Sequence, residues 1–466
     1  MSRPLSQNES AAHRDRSIRL AVVTSLISKS GTIVLRLVSI PIAIRLLGLE
    51  LFGVYTAITM AVGLIDMLHI GIGPALTRGL SKAVAAGDRE QEKTVFGTGI
   101  IISTGLTLLA TLVAAIILFN VPIPDLFGEK FASVSDVMYR AVWLGLLIIG
   151  IEMIGITFEM ARDGYLETRY SNAWGAGGNI FGAVTLLVGV WFFPTIEFLL
   201  ISVNGSIALA KLGNSIHLLI QRPYLFPRPA LFRKALVPSL AFNGLRFSVT
   251  YMLAAGIEYN LMSFLIGRAL GPAAVGVYNV MITVHFSLTG LVVMFTKPYW
   301  PALMDAYERK DKDWIARTSN RIRFGGLGFA ILCGIGLVTL GPIVLPMWAG
   351  EEFYNEANEG FQMDRFTLGA FSLYLAAHFW RHTNQTLALG VGRINSVVVT
   401  VVAEGVFLAL ATSYALSVTG SLAMIYLTMA GSIIGFSAWL FPVFFRRGRN
   451  SIDAPEFNSD EAPPSL

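Results

Sequence analysis

Ten ionisable side chains fall inside long apolar runs of this 466-residue chain: Lys29, Arg36, Asp66, Glu152, Glu159, Lys211, Arg246, Glu258, Arg381 and Glu404. An ionisable group at mid-membrane costs about 2.5–3.5 kcal/mol on insertion scales, so such groups turn toward protein or a water-filled cavity. By sign the ten sum to zero, so their arrangement carries the information. Lys29 and Arg36 are seven residues apart, almost two helical turns, which puts them on one face about 10 Å apart. Arg246 lies in the corresponding run of the second half. Three cations on these two runs suit an anionic substrate such as a phosphate or pyrophosphate; the competing reading is pairing with Asp66, Glu258 or Glu152. Asp66 and His69 share a helix face and could relay protons, hold a coupling cation or neutralise Arg36, and Glu258 is open to the same two roles, ion coupling or charge pairing. His378, Arg381, His382 and Gln385 follow i, i+3, i+4, i+7 spacing, a polar stripe that lines a cavity or an interhelical contact. Glu152 and Glu159 form a smaller acidic stripe, with Lys211 as an interhelical partner.

Other chemistries find no support. The lone Cys333 lies in an apolar run, and no Cys/His spacing fits a metal ion. Gly175-Ala176-Gly177-Gly178 lacks the strand and the Lys-Ser/Thr of a phosphate loop; close helix packing by small residues explains it better. No nucleophile triad or nucleotide loop is present, so neither an enzyme nor ATP-driven transport by this chain alone is expected. No metal and no cofactor are expected, with H⁺ or Na⁺ as the coupling ions to consider, and no nucleic-acid partner.

The elements that must carry these residues follow from composition. Hydrophobic residues make up 54% of the chain and charged residues 14%, with a mean hydropathy of +0.63; too little polar surface remains to cover a water-soluble globule. Runs long enough to cross a bilayer lie near 20–44, 52–75, 95–119, 138–161, 173–193, 198–220, 237–266, 275–297, 323–347, 366–389, 394–416 and 421–445. Of the 35 Lys and Arg residues, 25 fall in the even-numbered loops and the two tails, which places both termini in the cytoplasm. The expected fold is an all-α polytopic membrane protein of about twelve transmembrane helices in two parallel six-helix lobes. The lobes are 20–220 and 236–445, with a cytoplasmic N-terminal tail at 1–19, a Pro-containing inter-lobe linker at 221–235 and a disordered cytoplasmic tail at 446–466. The first apolar run is too long for a signal-peptide core, and no cleavage is expected.

The lobes betray a duplication. Arg45–Tyr55 reads RLLGLELFGVY and Arg268–Tyr278 reads RALGPAAVGVY, 223 residues on. A charged loop follows each copy, Gly87-Asp88-Arg89-Glu90 and Lys310-Asp311-Lys312-Asp313. Gly48 and Gly271 read as helix C-terminal stops, Arg45 and Arg268 as cations at helix C-termini, and Tyr55 and Tyr278 as interfacial rings.

The stretch RLLGLELFGVYTAITMAVGLIDMLHIGIGPALTRGLSKA (Arg45–Ala83), its second-half echo and FEMARDGYLETRYSN ending the fourth span resemble the Wzx-type polysaccharide flippases of the multidrug/oligosaccharidyl-lipid/polysaccharide exporter superfamily. The resemblance implies a bacterial inner-membrane protein that moves undecaprenyl-pyrophosphate-linked oligosaccharides between leaflets for surface polysaccharide, such as lipopolysaccharide or exopolysaccharide. It implies a cavity lined by spans 1, 2, 7 and 8, where Lys29, Arg36 and Arg246 match by position type the cations that meet pyrophosphate. Membrane lipids, the lipid-linked oligosaccharide, a polysaccharide polymerase and chain-length proteins are the implied partners. The alternatives are an H⁺- or Na⁺-coupled multidrug exporter of the related branch, against which the cations of span 1 count, and a membrane glycosyltransferase or polymerase, against which the short outer loops count.

Overall fold

The computed structural model describes residues 7–66, 72–240, 256–296, 299, 303, 306–307, 310–351 and 362–450. Among these, every regular element is helical. They group into two units, Met1–Leu126 with Phe131–Ser248, and Phe127–Lys130 with Val249–Leu466. The first contains α1 (Gln7–Asp66), α2 (Ile72–Ala86), α3 (Arg89–Asn120), α4 (Ser135–Gly164), α5 (Thr168–Gly189) and α6 (Ile196–Gln221), which is widened to a π turn over Ile201–Gly205. The second begins with a π turn, Gly256–Leu261, that runs into α7 (Met262–Leu270), followed by α8 (Pro272–Thr296), α9 (Lys312–Ala349), α10 (Arg365–Gly390), α11 (Ile394–Val418), α12 (Leu422–Gly435) and α13 (Ser437–Asn450).

The chain is a multi-pass membrane protein. Among the described residues, eight helical stretches are long and apolar enough to cross a bilayer. Their outer faces present side chains such as Leu112 and Ile116 on α3 and Leu332 and Ile343 on α9. Such exposure is costly in water and costs nothing against lipid tails. The helix α10 is different: it packs against α9, α12 and α13, and from Ala377 to Gly390 nearly every side chain is buried. A helix surrounded by protein can carry polar residues that a lipid-facing helix cannot.

The duplication is visible in backbone detail. Gly48 (φ 79°, ψ 165°) breaks α1 into two helices, and Gly271 (φ 93°, ψ −178°) separates α7 from α8. Both occupy a region of backbone space that essentially only glycine enters. Further along, the N–H of Asp88 donates to Ala83 O and that of Asp311 to Ala306 O, closing matching helix ends. The carboxylates of Asp88 and Asp311 then cap α3 and α9, accepting from Gln91 N and Trp314 N at 2.9 and 3.0 Å. The residue before each cap has positive φ, Gly87 at 67° and Lys310 at 60°. Every one of these pairs keeps the 223-residue offset of the motif.

Gly48→Ala and Gly271→Ala are each expected to cost about 1–3 kcal/mol from backbone strain, seen as lower thermal unfolding midpoints in detergent. The loss should be greater at Gly271, where an added methyl would also lie 3.2 Å from Lys130 Cβ. Unchanged midpoints in both variants would remove the conformational argument.

Candidate functional site

The second unit holds a buried ionic cluster built by three elements. Glu258 lies on the π turn that precedes α7, Arg381 on α10 and Glu404 on α11. Their exposures are 3%, 5% and 3%, so neither water nor lipid screens them. Arg381 Nη1 donates to Glu258 Oε1 and, at 2.7 Å, to Glu404 Oε1. Its Nη2 donates to Glu258 Oε2 at 2.9 Å and to His378 Nδ1 at 3.0 Å. His378 Nδ1 is therefore an acceptor and carries no proton. One guanidinium thus faces two carboxylates, and with all three ionised the group holds a surplus negative charge.

Local irregularity supplies the remaining partners. The π turn frees the carbonyl of Glu258, which accepts from Tyr278 Oη at 2.6 Å; π turns recur at functional positions because they expose such groups. Tyr278 is fully buried, which corrects the expectation of an interfacial ring there. Its repeat counterpart Tyr55 is half-buried and donates to Asn204, on the π turn of α6, at 3.0 Å. The twelfth span is broken at Phe436 (φ −120°, ψ −85°) between α12 and α13. The break releases the N–H of Ser437, which donates to Glu404 Oε2 at 3.2 Å, and Pro442, which has no N–H to give, leaves the carbonyl of Ala438 free to accept from Trp380 Nε1 at 3.0 Å. Next to the cluster, His285 on α8 lies edge-on to His378 with ring centroids 4.3 Å apart, and its Nε2 meets Tyr259 Oη at 2.6 Å.

The polar stripe of α10 is therefore an interhelical seam at His378 and Arg381. His382 Nε2 reaches Thr296 Oγ1 of α8 at 3.2 Å, and Gln385 is buried on the same helix. Glu258 is charge-paired, with Arg381. In the first unit Lys211 meets Glu152 at 3.8 Å, the interhelical contact anticipated for that acidic stripe. Lys29 and Arg36 lie on the helical backbone of α1 and Asp66 ends it, with their side chains outside the described residues, as are His69 and Arg246 altogether. The constant repeat offset matches Arg36 with Tyr259, and Arg246 with Val23. Arg36 and Arg246 are accordingly not counterparts in the duplication.

Sequence reasoning missed a second cluster, at the ends of α4, α5 and α6 where basic residues gather. Arg162 is wholly buried and donates to Asn214 Oδ1 (2.6 Å), Glu167 Oε2 (3.1 Å) and Gln221 Oε1 (3.1 Å). Arg222 grips both oxygens of Glu167 at 3.0 and 2.8 Å and stacks on Tyr165. Burial alone would lower the Arg222 pKa, but the Glu167 carboxylate outweighs it and leaves it raised. Tyr165 and Tyr224 both donate to Glu92 Oε2 at 3.0 Å. Burial and that carboxylate push both phenols upward, so both remain donors. These bonds, together with Thr98, which donates to Leu231 O and accepts from Arg233 N, fasten the linker to the first unit. The available signal was the run RDGYLETRY, where cations, carboxylates and aromatic rings alternate too densely for an unstructured loop.

No family model matches the chain, and no curated protein matches it either. Solved structures do share its fold. A multidrug resistance MATE family transporter of the MOP superfamily, in an inward-facing conformation, aligns with TM-score 0.73 at 14% identity, covering 92% of this chain and 98% of its own. A MOP superfamily transporter from Pyrococcus furiosus, described as having a binding pocket of reverse polarity that suggests a different function, aligns at 0.64 and 14%, covering 95% and 96%. A Vibrio cholerae MATE transporter aligns at 0.62 and 16%, covering 96% and 99%. The chain therefore has the all-helical fold of the MOP superfamily transporters.

Proposed function

We propose that the protein is an alternating-access transporter of the cytoplasmic membrane, both termini inside, that flips a lipid-linked oligosaccharide with a pyrophosphate head. The observation that carries this reading is the charge of the first helix. Lys29 and Arg36 are seven residues apart in the sequence, and no acidic residue occurs between Ser17 and Gly48. A stretch that is cationic with no acidic residue of its own suits an anionic head group and opposes cationic drugs. Arg246 adds a third cation in the corresponding apolar run of the second half of the sequence. Arg381 is left out of the substrate site, because two carboxylates already occupy it. The pocket of reverse polarity described for the Pyrococcus furiosus transporter supports the idea that this fold accommodates more than drug export.

A second reading, an H⁺- or Na⁺-coupled multidrug exporter, is favoured by the names of the other fold neighbours. Under either reading the surplus negative charge shared by Glu258 and Glu404 is the place for a coupling proton or Na⁺ in the second lobe. Deleting the gene and extracting lipid-linked intermediates separates the two. A flippase leaves complete oligosaccharide units stranded on the cytoplasmic leaflet. A drug exporter leaves the intermediates unchanged and raises drug sensitivity.

A further inference from the structure

The Gly175–Gly178 stretch performs two tasks on adjoining faces of α5. On one face Gly178 and Gly182 press against α6, where added methyls would collide with Ala210 Cβ and Ser206 Oγ. On the neighbouring face Gly177 would meet nothing within 4 Å. It lies in an apolar groove of about 660 Å³ between α5 and α6, with Tyr170, Trp174, Gly213, Ile216 and His217 along its walls. Gly213 gives the Trp174 ring its place, since a methyl there would fall 2.5 Å from Cζ3. Trp174 Nε1 donates to His217 Nδ1 at 3.2 Å, and the Tyr170 ring stands edge-on to His217. These are the side chains that settle where a bilayer passes from hydrocarbon to head groups.

The rim of the groove is charged. Arg169, in the first turn of α5, lies over the Tyr170 ring at 4.8 Å and donates to Tyr170 Oη at 3.3 Å. Among the described residues no carboxylate lies within ion-pair distance of it. Nearby Glu167 is held by Arg162 and Arg222, and Asp163 accepts from Thr168. Arg169 is therefore the cation at the head of this apolar groove that no neighbouring carboxylate among the described residues engages, Glu167, Asp163 and Glu92 being held by other groups.

We infer that this groove binds one anionic phospholipid of the leaflet on the basic side of the membrane, with an acyl chain along Gly177 and the phosphate on Arg169. The site is separate from any transported cargo and does not depend on which substrate the protein carries. It would fix a lipid to α5 and α6 beside the cluster that fastens the linker.

The test is native mass spectrometry of the full chain in detergent, offered equal amounts of phosphatidylglycerol and phosphatidylcholine with identical acyl chains. A charge-assisted contact of ordinary strength implies retention of phosphatidylglycerol about tenfold over phosphatidylcholine. Arg169→Gln should abolish the preference while both lipids still bind. Gly177→Leu, whose side chain enters open space, should lower retention of both. Soluble glycerol phosphate should not compete, which separates a lipid site from a phosphate site. Equal retention of the two lipids by the parent, undiminished binding in Gly177→Leu, or displacement by glycerol phosphate would each overturn the inference.

Discussion

Arg381→Met is expected to destabilise the second unit by about 3–5 kcal/mol, the cost of breaking a buried ion pair and leaving its partner charged. The loss should fall at the high end of that range, because two carboxylates rather than one depend on Arg381. Glu404→Gln is expected to cost less, about 1.5–3 kcal/mol, the net value of a single hydrogen bond to a charged group. It keeps the two-point contact between Arg381 and Glu258 and leaves an amide oxygen for Ser437 N–H. Combining Arg381→Met with Glu258→Gln and Glu404→Gln should recover much of the loss, since removing a buried ionic group entirely is often neutral. Thermal unfolding in detergent reads all three. Arg381→Met as stable as the parent, or less harmful than Glu404→Gln, would contradict the cluster as drawn.

The second large effect is functional. Arg36→Ala combined with Arg246→Ala is expected to slow translocation of a lipid-linked oligosaccharide at least about 100-fold, because each charge-assisted contact to a phosphate oxygen is worth about 1.5–3 kcal/mol. Stability should change little if these cations face a hydrated cavity, since no buried partner is then left behind. The discriminating control is Arg36→Lys with Arg246→Lys, which keeps the charge and loses the planar fork; it should retain a substantial part of the activity. Loss of folding in the alanine pair would assign the two arginines to structural pairing instead.

Much of the architecture was legible because it rests on local chemistry. Apolar length placed the spans: α10, capped by Asp364, and α11 begin and end within two residues of the expected bounds, whereas α9 begins at Lys312, well before the expected 323, because Asp311 caps it there and its first turns are polar. The duplicated motif announced Gly48 and Gly271 as breaks, since few side chains tolerate what those positions require. Partnership across long stretches of sequence was not legible. Spacing set Arg381 and His378 on one face but could not say that Glu258, 123 residues away, would meet them. The π turns and the break at Phe436 arise from tertiary packing and leave no periodic trace, so the carbonyl awaiting Tyr278 was invisible. Arg162 was counted as a loop cation because it ends a span. Its burial depends on Asn214 and Gln221 from α6, which only the fold brings near.

The most direct measurement is leaflet exchange in proteoliposomes containing the purified protein and a labelled oligosaccharide carried on a polyprenyl pyrophosphate. Label in the inner leaflet should become accessible to an impermeant glycosidase at a rate proportional to protein content. The rate should fall to near that of protein-free vesicles in the Arg36→Ala and Arg246→Ala double variant. Exchange by the parent at the protein-free rate, with the same vesicles transporting a cationic drug, would contradict the account.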